Sequence, residues 1–147
     1  MKYIFALSVV VIAACNILRP AMQNTGELSG YVYLETGNQM PSPNRRAQAP
    51  KGMVTTLAIY EATPFKQAEG TSPIFTKINS RLIAEVHTDS TGHYIVKLPA
   101  GKYSVFIKDG NELFANESDG DGIINPVQIN AAKAVTRNWK MARNALY

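Results

Sequence analysis

Residues 86–103 read Val86-His87-Thr88-Asp89-Ser90-Thr91-Gly92-His93-Tyr94-Ile95-Val96-Lys97-Leu98-Pro99-Ala100-Gly101-Lys102-Tyr103. Val86 closes one apolar alternation, Tyr94, Val96 and Leu98 form a second, and Tyr103 opens a third. A period of two puts such residues on one face of a strand. Asp89-Ser90-Thr91-Gly92 has the chemistry of a type I turn closed by a left-handed residue, a common three-residue hairpin connection. The Asp89 carboxylate can accept from backbone N–H groups inside the turn, and Gly92 can adopt positive φ without a Cβ clash. Pro99-Ala100-Gly101 supplies the next corner. Tyr94 and Tyr103 are then inward-facing aromatic anchors.

The same period extends outward. It predicts strands over Leu28–Glu35, Val54–Glu61, Arg81–Thr88, His93–Leu98, Lys102–Lys108, Ile124–Ile129 and Ala134–Met141. Leu82, Ala84 and Val86 are expected inside, as are Val32, Ile59, Ile107 and Trp139. No stretch sustains a helical stripe, and no internal repeat is evident. Short strands separated by Gly, Pro, Asn and Asp predict an all-β, seven-stranded antiparallel β-sandwich. Two connections, 36–53 and 62–80, are too long for simple turns. Such loops often carry function; the alternative is a packed surface excursion, with Phe75 and Ile78 covering a sandwich edge.

The pattern Thr88-Asp89, Gly92, Tyr94, Leu98-Pro99, Gly101 and Tyr103, with Gly30-Tyr31-Val32 upstream, resembles the carboxypeptidase regulatory-like family. The resemblance covers roughly residues 26–139 and implies a transthyretin-like (prealbumin-like) sandwich. It implies little about activity, because function has to come from a site rather than a fold. The segment Gly37 to Pro43 also looks like one found in small bacterial lipoproteins of this type.

The N-terminus points to export. Lys2 precedes an apolar run, Tyr3 to Ala14, that is shorter than the ~20 residues needed to span a bilayer. Ile12-Ala13-Ala14-Cys15 resembles the lipobox of bacterial lipoproteins, in which the cysteine is lipidated and becomes the mature N-terminus. The expected organisation is a signal peptide over 1–14, a lipidated tether over 15–25 and the sandwich domain over 26–147. Cys15 is the one cysteine in the chain, so it has no internal disulfide partner. Asn16 follows it, which favours the outer membrane, with the domain facing the periplasm. The net charge of +4 among 147 residues is too weak to argue for nucleic acid.

Candidate chemistry is sparse. His87 and His93 both fall at outward parity and would lie near each other across a hairpin, with Glu85 as a third donor. A catalytic zinc needs three protein ligands, so solvated strand residues are the simpler reading. Glu117-Ser118-Asp119-Gly120-Asp121-Gly122 partly imitates a calcium loop, but Glu117 and Gln128 occupy positions one and twelve. A Gly/Asp turn is favoured there. No Gly-x-Ser-x-Gly elbow is present, and residues 142–147 lack the Tyr-Arg-Gly-Ser type ending of the hydrolases with this fold. Tyr31, Tyr33, Phe65, Phe75, Phe106 and Phe114 are candidate exposed aromatics, either a platform for a partner or residues packed under the long loops. Arg45 and Arg46 form a small basic patch. The expected function is a membrane-anchored, non-enzymatic binding or structural module with a protein or glycan partner and no cofactor. The alternative is a small-ligand or metal-binding carrier using His87 and His93 or Asp119 and Asp121.

Overall fold

The computed structural model describes residues 24–38 and 50–146. The expected signal peptide, Cys15, most of the tether and the Arg45-Arg46 patch lie outside the described residues. The strands are β1 (Thr25–Asn38), β2 (Lys51–Gly52), β3 (Thr56–Glu61), β4 (Ala68–Thr71), β5 (Ile74–Ile78) and β6 (Leu82–His87). They continue with β7 (His93–Pro99), β8 (Gly101–Asp109), β9 (Glu112–Phe114), β10 (Pro126–Ile129), β11 (Ala134–Thr136) and β12 (Trp139–Leu146). Among the described residues, no helix is long and apolar enough to cross a membrane.

Two sheets form the sandwich. In the first, β1 is central, with β7 and then β2 antiparallel along one side and β11 and then β12 along the other. β11 and β12 run parallel to β1, and all other pairings are antiparallel. The second sheet has the order β4-β5-β9-β8-β3-β6, and β10 pairs with the first half of β8. Each of the seven expected strands falls on a strand, the last being split into β11 and β12. The added ones are short and lack a long alternation.

The motif 86–103 behaves differently from a hairpin stack. β6 belongs to the second sheet and β7 to the first, so Asp89–Gly92 is a corner between sheets. Its local chemistry is as expected. Asp89 Oδ1 accepts from the Thr91 N–H at 2.8 Å, the Thr91 hydroxyl at 2.6 Å and the His93 N–H at 3.0 Å. Gly92 sits at φ +83°, and a Cβ there would lie 2.4 Å from the Val32 carbonyl oxygen. Thr88 is buried and donates to the Met53 carbonyl at 2.8 Å while accepting from the Thr55 N–H at 2.7 Å, which turns the chain out of β6.

The main core lies between the sheets. Leu28, Val32, Tyr94, Leu98, Trp139 and Met141 from the first sheet meet Leu57, Ile59, Tyr103, Val105, Ile107 and Phe114 from the second. Leu82 departs from its expected inward place and is 46% exposed. The β3–β6 register shifts between Ile59 and Tyr60, so Leu82 pairs with Tyr60 and Ile83 packs against the core instead. A bulge inserts one residue and flips the parity beyond it.

A second core covers the outer face of the second sheet. Phe106, expected outward, does point away from the main core, yet it is buried together with Ala58, Phe75, Leu113, Ala115 and Ile124. Phe75 and Tyr60 meet its ring edge-on at 5.9 Å and 5.6 Å. The 62–80 connection is therefore a packed excursion: a single 3-10 turn at Phe65–Gln67, then the β4–β5 hairpin. It is fastened to the 115–124 segment by Ala115 N to Pro73 O and Ile124 N to Thr63 O, both 2.9 Å. With both faces covered, Tyr103 through Ile107 are buried without a break. Burying a Phe side chain contributes roughly 1.5–3 kcal/mol, so this roof adds materially to a disulfide-free domain.

Candidate functional site

The outer face of the first sheet is built on β1. Its alternation turns Leu28 and Val32 into the core and leaves Glu27, Ser29, Tyr31, Tyr33 and Glu35 on the other side. Tyr31 pairs in register with His93 of β7, and Ser29 with Ile95. The Tyr31 and Tyr33 rings lie 5.9 Å apart with planes 12° from parallel. That spacing is within the offset-stacked range of about 4.5–7 Å. His93 closes the row, edge-on to Tyr31 at 5.0 Å. Tyr31 is 39% exposed and Ile95 54%.

Gly30 makes this arrangement possible. A Cβ at that position would sit 1.9 Å from the Arg137 carbonyl oxygen. The β11–β12 connection therefore crosses close beside β1, where Asn138 Oδ1 accepts the Tyr31 N–H at 2.9 Å and the Arg137 N–H reaches Ser29 O at 2.8 Å. At the rim, Lys140 pairs with Glu35 at 2.8 Å. The two sheets thus differ: one outer face is roofed by a second core, while the other presents an aromatic row in which Tyr31 is exposed and Tyr33 and His93 are half-buried.

The expected site residues distribute as follows. Tyr31 and Tyr33 lie together on this open face. Phe65 is exposed at the edge of the roof, 6.4 Å from Phe75. Phe75 is not a surface aromatic; it is 1% exposed, because β5 pairs with β9 and lays its ring on Phe106. Phe106 and Phe114 are buried as well. His87 and His93 do not share a face. They stand on the outer faces of opposite sheets, His87 Nδ1 within 2.8 Å of the Thr56 hydroxyl and His93 against Tyr31. Glu85, the third donor considered, is engaged by Lys108 at 2.8 Å. Among the described residues, no group of three or more His, Cys, Asp or Glu is placed to hold a metal ion.

Asp119 and Asp121 form a turn rather than an open cage. Asp119 Oδ1 accepts the N–H groups of Asp121 at 3.0 Å and Ile123 at 2.9 Å, while Oδ2 meets Lys102 Nζ at 2.6 Å. Asp121 is 3.8 Å from the same ammonium. The Lys102 contact, with the backbone donors, holds the Asp119 carboxyl below its usual range, and the Lys102 ammonium is raised in return. A cation binding here would have to displace Lys102.

Ile95 escaped the sequence reading as a surface residue. Its signal was an apolar side chain at solvent parity inside a regular alternation, between Tyr94 and Val96. The asymmetry between the two outer faces had no local signal.

No protein-family model matches the chain, and no curated protein matches it in sequence. Solved structures resemble it at low identity and with TM-scores below 0.5. A minor pilin of Streptococcus agalactiae is 17% identical with a TM-score of 0.46, covering 83% of this chain and 46% of its own. A Pseudomonas aeruginosa protein named provisionally for carbohydrate binding is 15% identical with a TM-score of 0.47, covering 82% of this chain and 90% of its own. The shaft pilin SpaA of Lactobacillus rhamnosus is 15% identical with a TM-score of 0.43, covering 82% and 51%. The chain spans about half the length of both pilins.

Proposed function

We propose that the chain is a lipid-anchored module of the bacterial envelope that binds a partner through the outer face of its first sheet and catalyses no reaction. The single observation that supports binding is the exposed pair Tyr31 and Ile95, with Tyr33 and His93 half-buried beside them, on a molecule whose other sheet face is roofed. Contiguous exposed apolar surface of this kind marks interaction sites, and Tyr is favoured in them for its large, stiff contact area. The partner is a protein or a glycan of the envelope. The anchor rests on the Ile12-Ala13-Ala14-Cys15 sequence, and Asn16 favours the outer membrane with the domain facing the periplasm. Among the described residues, His87 and His93 lie on opposite sheets and Asp119 is held by Lys102, which does not favour the metal-carrier reading.

Two measurements test this. The wild-type chain should incorporate radiolabelled palmitate and stay with membranes, and Cys15→Ala should do neither; a labelled, membrane-bound Cys15→Ala protein removes the anchor. Capture from envelope extracts, with soluble glycans as competitors, should fall at least tenfold for Tyr31→Ala/Ile95→Lys while the variant still unfolds in one cooperative transition. Undiminished capture removes this face from the function.

A further inference from the structure

β7 is an outer strand of the first sheet, and β1 is its one strand partner among the described residues. The even-numbered residues of this stretch bond toward β1: at its two ends Gly92 O accepts the Val32 N–H at 2.8 Å, and the Ala100 N–H donates to Asn24 O at 2.7 Å. The odd-numbered residues therefore turn their N–H and C=O groups away from β1, because alternate residues of an antiparallel strand serve opposite sides. At His93 the Asp89 corner takes up both groups, the N–H at 3.0 Å and the C=O at 2.9 Å. Ile95 and Lys97 direct theirs at no strand among the described residues. Other outer strands are interrupted: β4 meets β5, β6 meets β3 and β12 meets β1 through register shifts, and bulges are one way sheets blunt their edges. β7 keeps one register against β1 from His93 to Pro99 and carries Ile95, 54% exposed, within that run. Pro99 has no N–H and closes the free ladder.

We infer that β7 accepts an extended segment of a partner protein as an added strand, bonded to the N–H and C=O groups of Ile95 and Lys97, with an apolar side chain beside Ile95. The inference rests on the binding face proposed above and narrows its partner to a polypeptide. Donor and acceptor groups that repeat about 7 Å apart along an edge match the main chain of another strand; a glycan presents no such ladder. The added strand would prolong the outer face, its side chains beside Ile95 as Ile95 stands beside Ser29, next to Tyr31. Charge does not select the segment, since Glu27 is in register with Lys97. A second copy fits less well. Pairing two β7 strands antiparallel through these groups sets Ile95 opposite Lys97 and brings the two Lys97 side chains diagonal to each other on one face, like charges within mutual reach.

The test uses the full chain in detergent micelles and reads amide hydrogen exchange residue by residue by NMR. The probe is a soluble peptide, Ser-Val-Thr-Val-Thr-Val-Ser, at millimolar concentration. Exchange at Ile95 and Lys97 should slow at least tenfold with the probe, while Glu85 and His87 on the bulged edge of β6 stay unchanged. Lys97→Pro removes one outward N–H at a place where an edge strand tolerates proline; it should abolish the slowing at Ile95, and Lys97→Ala should keep it. Unchanged exchange at Ile95 and Lys97 in the wild-type chain overturns the proposal. So does slowing that grows with protein concentration in the absence of the probe, which would make a second copy the occupant. Envelope capture separates this inference from the wider reading. Capture lost in Tyr31→Ala/Ile95→Lys but kept in a folded Lys97→Pro overturns strand addition and leaves the face standing. Capture kept in both removes the face and the strand together.

Discussion

The Trp139 indole Nε1 donates to the Tyr94 hydroxyl at 2.9 Å, and that hydroxyl donates onward to the Arg137 carbonyl at 2.7 Å. Tyr94 lies opposite Gly30 in the β1–β7 register, so its ring passes where β1 offers no side chain and ties β7 to the β11–β12 connection. The Arg137 guanidinium lies over the Trp139 ring at 5.2 Å and pairs with Glu117 of the 115–124 segment. Tyr94→Phe leaves the buried indole N–H unpaired, which costs about 1–3 kcal/mol. Urea unfolding of Tyr94→Phe, Trp139→Phe and the double variant should show coupling between them; additive losses contradict a shared bond.

Alkaline stability follows from the same residue. Burial pushes the Tyr94 phenol well above its ordinary value, so the folded state keeps its proton where the unfolded chain, titrating at about 10, releases it. The contribution is complete below pH 10 and shrinks as pH rises beyond it. Tyr94→Phe should therefore flatten the decline of the unfolding midpoint between pH 9 and 11, followed by fluorescence.

Acid acts through the turn. Bonds from the Thr91 hydroxyl and from the His93 and Thr91 N–H groups hold the Asp89 carboxyl below its usual range. Its contribution is present above the unfolded carboxyl's titration and is lost as pH falls through the lower folded value. Asp89→Asn should lower the melting temperature at neutral pH and lose less than wild type between pH 4 and 2. A variant with the wild-type acid slope would show that other carboxylates dominate.

The roof and the open face separate by energy. Phe75→Ala opens a cavity in the second core and should cost about 3–5 kcal/mol in denaturant unfolding. Tyr31→Ala removes a cross-strand surface contact worth at most about 1 kcal/mol. Comparable losses for both would mean that Tyr31 is a packing residue rather than a recognition surface.

The β6 bulge gives one further contrast. Ile83→Ala should destabilise by about 1–3 kcal/mol because Ile83 packs on the core, whereas Leu82→Ala should stay within about 0.5 kcal/mol. The reverse order would place the register shift elsewhere.

Much of this fold was legible because alternation is a local signal. Tyr94, Val96, Leu98, Tyr103 and Trp139 took the faces their parity assigned. The turn chemistry of Asp89 and Gly92 was equally local. What it could not convey is which strand lies alongside: the same four-residue turn serves a hairpin or a corner between sheets, and only the partners β3 and β1 decide. Hence His87 and His93 were read as neighbours and stand on opposite sides. For Phe75 and Phe106 the sequence offered both a partner platform and packing under the long loops, and the packed reading holds. Parity reports direction, and burial on the outward side depends on a roof assembled from residues 62–80 and 115–124. Leu82 was lost to a one-residue bulge that no composition rule announces.

The parallel pairing of β1 with β12 joins the start of the described domain to its end, Val32 beside Trp139 and Leu34 beside Met141. Contacts between residues so distant in sequence form late, because a long loop must close before they yield any stabilisation. During synthesis β1 therefore waits with one side open until the last strand has emerged. The two ends of the fold act as a clasp, and a chain truncated before Trp139 would keep most of its strands yet be unable to close its first sheet.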